Sequence, residues 1–234
     1  GLPLFPPEAE VEAVLRDIRL CRETRCATHI QHVSCAGSVA AIRAARTEGL
    51  PVTGEASPHH LAIAADEIPG DDGNYRMNPP LGNREDVRAL RDGALDGTLS
   101  LFATDHAPHT AANKNRSFLK AAFGVIGLET AIGVTWEIMV LQEGLSPLTW
   151  VARWTTGPAA LLGCPAPSLA PGVPADLVVI DPRTPWRVTP DTFRTLSRNT
   201  PFGGWTLHAR PVLTVCEGRI TFTDPETITL EEPA

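Results

Sequence analysis

Residues 8–21 carry Val11, Val14, Leu15 and Ile18 at helical spacing, with Glu8, Glu10 and Glu12 in the first turns. Spacings of three and four place apolar side chains on one helix face, and early acids complement the helix dipole. An amphipathic helix is predicted. The apolar run over 27–33 follows, and it reads as a buried strand ending at His32. Residues 38–48 read as a second helix, closed by Gly49. A second strand is predicted over 51–56, leading into Ser57-Pro58-His59-His60-Leu61. Residues 84–92 give a third helix and 99–104 a third strand. Residues 127–142 and 147–162 give two more helices.

Strand and helix thus alternate about every 25 residues, the rhythm of a parallel sheet or barrel. Only three such strands are found, fewer than a closed (β/α)8 barrel requires. The pattern changes near Cys164, where Pro165, Pro167, Pro171 and Pro174 crowd a short stretch. Beyond it come short β-type runs at 175–181, 207–210, 212–216 and 219–222, with Gly and Pro between them and no helical period. The expected organisation is an α/β unit over residues 1–163 and a small β unit over 164–234. No internal repeat or low-complexity tract interrupts either.

Composition narrows the partners. The 234 residues are 43% hydrophobic and carry a net charge of −7, which suits a globular protein and argues against nucleic acid. No apolar run approaches the ~18 residues of a membrane span. No signal peptide is visible. The five cysteines are scattered, odd in number and form no CxxC pair, so neither a disulfide framework nor a zinc knuckle is signalled. A reducing cytoplasm is the expected compartment. The chain opens on Gly1 rather than Met, which reads as a piece of a longer product.

The chemistry concentrates in Ala103-Thr104-Asp105-His106-Ala107-Pro108-His109. Chemistry in a parallel barrel sits where strands end. A carboxylate at the end of a Leu-Phe-Ala-Thr strand is costly to bury without a partner, and a metal ion or a cation would stabilise it. Asp105 is therefore a candidate metal ligand and proton carrier; the plain alternative is a turn or helix cap. His109 stands on a loop stiffened by Pro108 and could donate to an anionic or carbonyl substrate. His106 could do the same or only orient the loop. His32 gains weight from its position at a strand end, whereas His29 reads as structural. Asn78 precedes two prolines that fix the backbone beyond it, so its amide is held out on a stiff loop. An amide both donates and accepts, as a cyclic imide or ureide requires; turn initiation is the plain alternative. Phe123-Gly124 offers close backbone approach to a ligand. His59-His60 looks like a zinc pair, but adjacent residues at a strand end point to different sides, so neither is counted as a ligand.

Together these segments resemble the bacterial-type dihydroorotases of the amidohydrolase superfamily. The resemblance runs through His32-Val33-Ser34, Glu55-Ala56-Ser57-Pro58-His59-His60-Leu61, Met77-Asn78-Pro79-Pro80-Leu81, the 103–109 motif, Gly127-Leu128-Glu129-Thr130 and Asn199-Thr200-Pro201-Phe202-Gly203-Gly204-Trp205. Ala175-Asp176-Leu177-Val178-Val179 is shared more widely among amidohydrolases. The resemblance implies the C-terminal part of a (β/α)8 metal-dependent hydrolase barrel with part of a small β-sandwich. It implies a binuclear zinc enzyme that reversibly closes N-carbamoyl-aspartate to dihydroorotate in pyrimidine synthesis. It casts His32 and Asp105 as zinc ligands, Asp105 as the proton shuttle, and Asn78, His109, Phe123 and Gly124 as substrate contacts.

The chain departs from that pattern too. No His-x-His pair occurs, and the resemblance begins just before the sixth barrel strand. Two ligands, His32 and Asp105, fall short of the three that hold a catalytic zinc. The chain alone is expected to bind metal poorly and to be inactive. Gly82 stands where the family continues with Leu-Arg after Asn-Pro-Pro, which puts one loop cation in doubt. Unpaired sheet edges are expected to drive aggregation, association or pairing with the missing half. A homodimer and aspartate transcarbamoylase are the macromolecular partners considered. The competing readings are a non-catalytic scaffold for that transcarbamoylase and a related cyclic amidase acting on hydantoin or allantoin.

Overall fold

The computed structural model describes residues 5–225 and 227–228. Helix α1 (Glu8–Thr24) buries Val14, Ile18 and Cys21. Leu15, expected on that face, is half exposed, because it lies about 100° around the helix from Val14. Strand β1 (Thr28–Ile30), helix α2 (Ala36–Thr47) and strand β2 (Val52–Ala56) follow. A short helix α3 (Pro58–Ala62) comes next, then a loop with 3-10 turns, helix α4 (Arg84–Asp96) and strand β3 (Leu101–Phe102). The strands pair in parallel in the order β1-β2-β3. This is the βα alternation read from the sequence, with shorter strands than expected.

The sheet is two-faced because side chains alternate along a strand. A Cβ on Gly54 would meet Ile42, Leu99 and Val33, so that face packs under the helices. Thr53 and Glu55 share the opposite face with His29. A polar layer therefore lines that face of the sheet. α4 starts on a capping box: Asn83 accepts from Glu85 and Asp86 backbone N–H groups, and Asp86 accepts from the Asn83 N–H. Cys35 makes no side-chain cap for α2. Glu10 and Asp86 instead accept the Ser34 and Ala36 N–H groups.

The expected helix over 127–142 begins at α6 (Ala131–Thr135) and runs on as a π-helical segment, Trp136–Gln142. The expected single helix over 147–162 is two, α7 (Pro147–Trp154) and α8 (Thr156–Leu162). Thr155 breaks them with φ −131° and ψ −84°. In the β unit, β4 (Leu177–Asp181) pairs with β7 (Arg210–Cys216), which pairs with β8 (Arg219–Thr223). The two runs expected at 207–210 and 212–216 are thus divided differently. β6 (Thr206–Leu207) pairs with β5 (Trp186–Arg187), and Pro211 lies inside β7 beside a register shift in β4. A missing N–H is tolerated where the ladder is irregular. Val188, Phe193, Phe202 and Leu207 share one buried cluster with Val134 and Ile138, so the apolar core runs from the helices into the β5-β6 region.

Candidate active site

The loops after β1, β2 and β3 bring three side chains together. His32 lies two residues past β1 with φ +51°, and Asp105 lies three past β3 with φ +47°. Left-handed backbone is uncommon for non-glycine residues and collects at functional sites. Two of the sequence candidates adopt it. His32 Nε2 stands 3.7 Å from Asp105 Oδ1.

The third group is His59, which sequence reasoning set aside. Its Nε2 lies 3.7 Å from Asp105 Oδ2. The side chain is 1% exposed, and Nε2 has no hydrogen-bond partner. The argument that adjacent strand-end residues diverge does not apply here. Ser57-Pro58 is an N-cap followed by a proline at the first helical position. His59 therefore belongs to α3, not to a strand end, and the helix turns it toward Asp105. The Ser-Pro pair was the available signal. His60 points elsewhere and donates from Nε2 to the Pro79 carbonyl at 2.9 Å, bracing the Asn78-Pro79-Pro80 loop.

Glu55 supports the cluster from behind, a role sequence reasoning did not assign. His29 Nε2 donates to Glu55 Oε2 at 3.0 Å. Glu55 Oε1 lies 3.1 Å from His32 Nδ1, off the line of a well-aimed hydrogen bond. Ser57 Oγ is also 3.2 Å from His32 Nδ1. His32 is thus held through Nδ1, which leaves Nε2 facing Asp105. A carboxylate behind a ligand imidazole fixes its tautomer and orientation. His29, read as structural, takes part in this support.

The electrostatics follow from burial and pairing. Burial would raise the Glu55 carboxyl, but His29 and His32 outweigh it and hold Glu55 at about 2. His32 is pushed up by its contact with Glu55, against burial and with help from Asp105. Burial raises Asp105, His32 opposes this, and Glu55 adds to the rise. Burial, with His60 and His32 nearby, drives His59 well below the usual imidazole range. His59 is therefore neutral, and its unpartnered Nε2 is the ring nitrogen nearest Asp105.

The chemistry of these donors suits a metal ion. Separations of 3.7 Å are too long for hydrogen bonds. They are near the roughly 3.4 Å edge of a tetrahedron with ~2.1 Å bonds. Two neutral-capable imidazoles and a carboxylate are a zinc-type set. An unpartnered buried Nε2 is a cost that a cation would remove. Among the described residues no group of three or more His, Cys, Asp or Glu side chains is already placed to hold a metal ion. Among the described residues no backbone N–H donates to the Asp105 carboxylate, so the cap role is not what the structure gives it.

The other candidates form a second group. His109 Nε2 bonds the Phe123 carbonyl at 2.7 Å, and its N–H donates to Asn199 Oδ1 at 3.2 Å. Asn199 Nδ2 donates to the carbonyls of Ala107 and Gly124. Gly124 has φ +122°, and a Cβ there would meet the Ala107 Cβ at 2.4 Å, so the position needs glycine. Phe123 is half exposed under the Arg76 guanidinium, 4.1 Å from its ring. His106 Nδ1 accepts the N–H groups of Gly127 and Leu128, so it orients the loop. Asn78 lines a cavity of about 350 Å³ with Glu10, Ser34 and Leu81. His32, His59 and Asp105 do not line that cavity, so the structure does not join Asn78 to the three-residue cluster.

Residues 7–221 match the amidohydrolase family. Dihydroorotase of Syntrophotalea carbinolica is 45% identical over 223 residues, covering 95% of this chain and 52% of that protein. Dihydroorotase of Anaeromyxobacter sp. (strain K) is 47% identical, covering 94% of this chain and 51% of that protein. The chain therefore spans about half the length of these relatives. Among solved structures, dihydropyrimidinase of Brevibacillus agri superposes with a TM-score of 0.87 at 27% identity, covering 93% of this chain and 49% of that one. L-Hydantoinase of Arthrobacter aurescens gives 0.85 at 29% identity, covering 96% and 51%. Among the described residues no helix is long and apolar enough to cross a membrane.

Proposed function

Because the chain belongs to the amidohydrolase family, we propose that it supplies the C-terminal part of a zinc-dependent dihydroorotase. The observation that carries this reading is the unpartnered Nε2 of buried His59, set with His32 Nε2 around the Asp105 carboxylate. Dihydroorotase relatives at 45% and 47% identity support the substrate over hydantoin, since the hydantoinase-type structures stand at 27% and 29%.

His32, His59 and Asp105 would hold zinc, and zinc supplies Lewis acidity that lowers the pKa of water toward ~7 and polarises a carbonyl. Asp105 takes the proton from the water that attacks the ring amide. The carbon–nitrogen bond breaks, and Asp105 returns that proton to the leaving nitrogen. The product is N-carbamoyl-aspartate, and the reverse path closes the ring. Asn78, His109 and the Phe123-Gly124 backbone would hold the ring. The small-molecule substrate is dihydroorotate or N-carbamoyl-aspartate. A dimer of such subunits, or aspartate transcarbamoylase, would be the protein partner.

The test is ring opening by the complete polypeptide and by the 234-residue chain, against dihydroorotate, hydantoin and allantoin. The complete enzyme is expected to favour dihydroorotate at least ~100-fold in kcat/KM, below the ~10⁴-fold or more that a site built to hydrogen-bond its substrate can reach. The 234-residue chain is expected to show no turnover and less than full zinc occupancy by elemental analysis. A preference for hydantoin would overturn the substrate. Failure of every ring to open would favour the scaffold reading.

A further inference from the structure

We propose that Lys114 is a positioning residue that fastens together the three loops carrying Asn78, His109 and Phe123-Gly124. It closes α5 (Ala111–Lys114), five residues past His109, and is 3% exposed. Its ammonium donates to the carbonyls of Arg76 at 3.1 Å, Ala122 at 2.9 Å and Gly124 at 2.8 Å. Arg76 lies two residues before Asn78, and Ala122 and Gly124 flank Phe123. One side chain thus reaches every segment assigned to the ring of the substrate.

The choice of lysine has a physical reason. These loops are irregular, so their carbonyls are not all satisfied by a regular ladder and carry lone pairs that a further donor can use. An ammonium has three donors and no acceptor, and here all three are used. No carboxylate among the described residues forms a direct ion pair with Lys114, so the three carbonyls are its contacts, with Asp72 favouring the charge from further off. Burial pushes the ammonium down to about 8, which leaves it charged at neutral pH.

The surrounding bonds depend on the same closure. The Gly124 N–H donates to the Arg76 carbonyl at 2.9 Å, and the Ala122 N–H donates to the Asn113 carbonyl at 3.0 Å. Without the ammonium, the Ala122 carbonyl loses its donor, and the Arg76 and Gly124 carbonyls keep only the Gly124 N–H and Asn199 Nδ2. The loops then separate, and the ring contacts lose their register, while His32 and His59 stand on other segments and Asp105 lies at the strand end of its own, nine residues before Lys114.

The ligand in this inference rests on the dihydroorotase reading; the fastening itself does not. Lys114→Met and Lys114→Gln are compared with wild type in two experiments. Amide hydrogen exchange on the 234-residue chain reads the loops directly. K114M is expected to lose at least tenfold protection at Gly124 and Ala122, with the amides of α2 unchanged. K114Q keeps an N–H donor and is expected to lose less. In the complete enzyme, K114M is expected to raise KM for dihydroorotate at least tenfold, to change kcat less than threefold and to keep its zinc. Unchanged exchange at Gly124, an equal fall in kcat with KM unmoved, or global unfolding of both variants would overturn the assignment. If wild type opens a different cyclic amide, the substrate reading fails, and the exchange result and the KM for that amide still decide Lys114.

Discussion

Asp105→Asn in the complete enzyme is expected to lower kcat about a thousandfold to ten-thousandfold, since general acid–base work and a metal contact are lost together. The change is nearly isosteric. Asn also tolerates the left-handed backbone that Asp105 adopts at φ +47°, so the fold and KM should hold. Asp105 stands 3.7 Å from His32 Nε2 and from His59 Nε2, with burial raising its affinity for a proton. An amide cannot take a proton from water or pass it to a leaving nitrogen. Steady-state kinetics on D105N with a melting temperature near wild type would check this. A fall in kcat of less than tenfold would remove Asp105 from the chemistry.

His59→Asn is the second large effect. Removing one ligand from a three-ligand zinc set is expected to cost at least ~100-fold in zinc affinity, more than the ~10–100-fold loss typical of an outer-shell change. Turnover should fall with the zinc. The neighbouring histidine is the control. His60 braces the loop through its bond to the Pro79 carbonyl, so His60→Asn should keep its zinc and shift KM. Zinc titration against a chelator separates the two. Equal zinc affinity in H59N and wild type would return His59 to the core.

The alternation of strand and helix was legible because 2- and 3.6-residue periods differ over even short runs. β2 and α4 came through clearly: Gly49 closes the helix before β2, and Asn83 caps α4. The candidate cluster was half legible. Asp105 and His32 showed themselves as polar residues where apolar strands end. His59 did not, because adjacent histidines were read with strand geometry while Ser57-Pro58 had already started a helix. Glu55 looked like one more strand residue; its role depends on His29 and His32 arriving from a parallel neighbour. Lys114 and Asn199 act through carbonyls of remote loops, and no local pattern in the chain marks such contacts. The break at Thr155 was hidden by continuous helical spacing on both sides.

Anomalous diffraction at the zinc edge, from crystals of the complete enzyme, tests the central claim most directly. A peak within bonding distance of His32 Nε2, His59 Nε2 and the Asp105 carboxylate is the result expected. A zinc peak held by His106 and His109, with His59 Nε2 still unpartnered, would contradict the account.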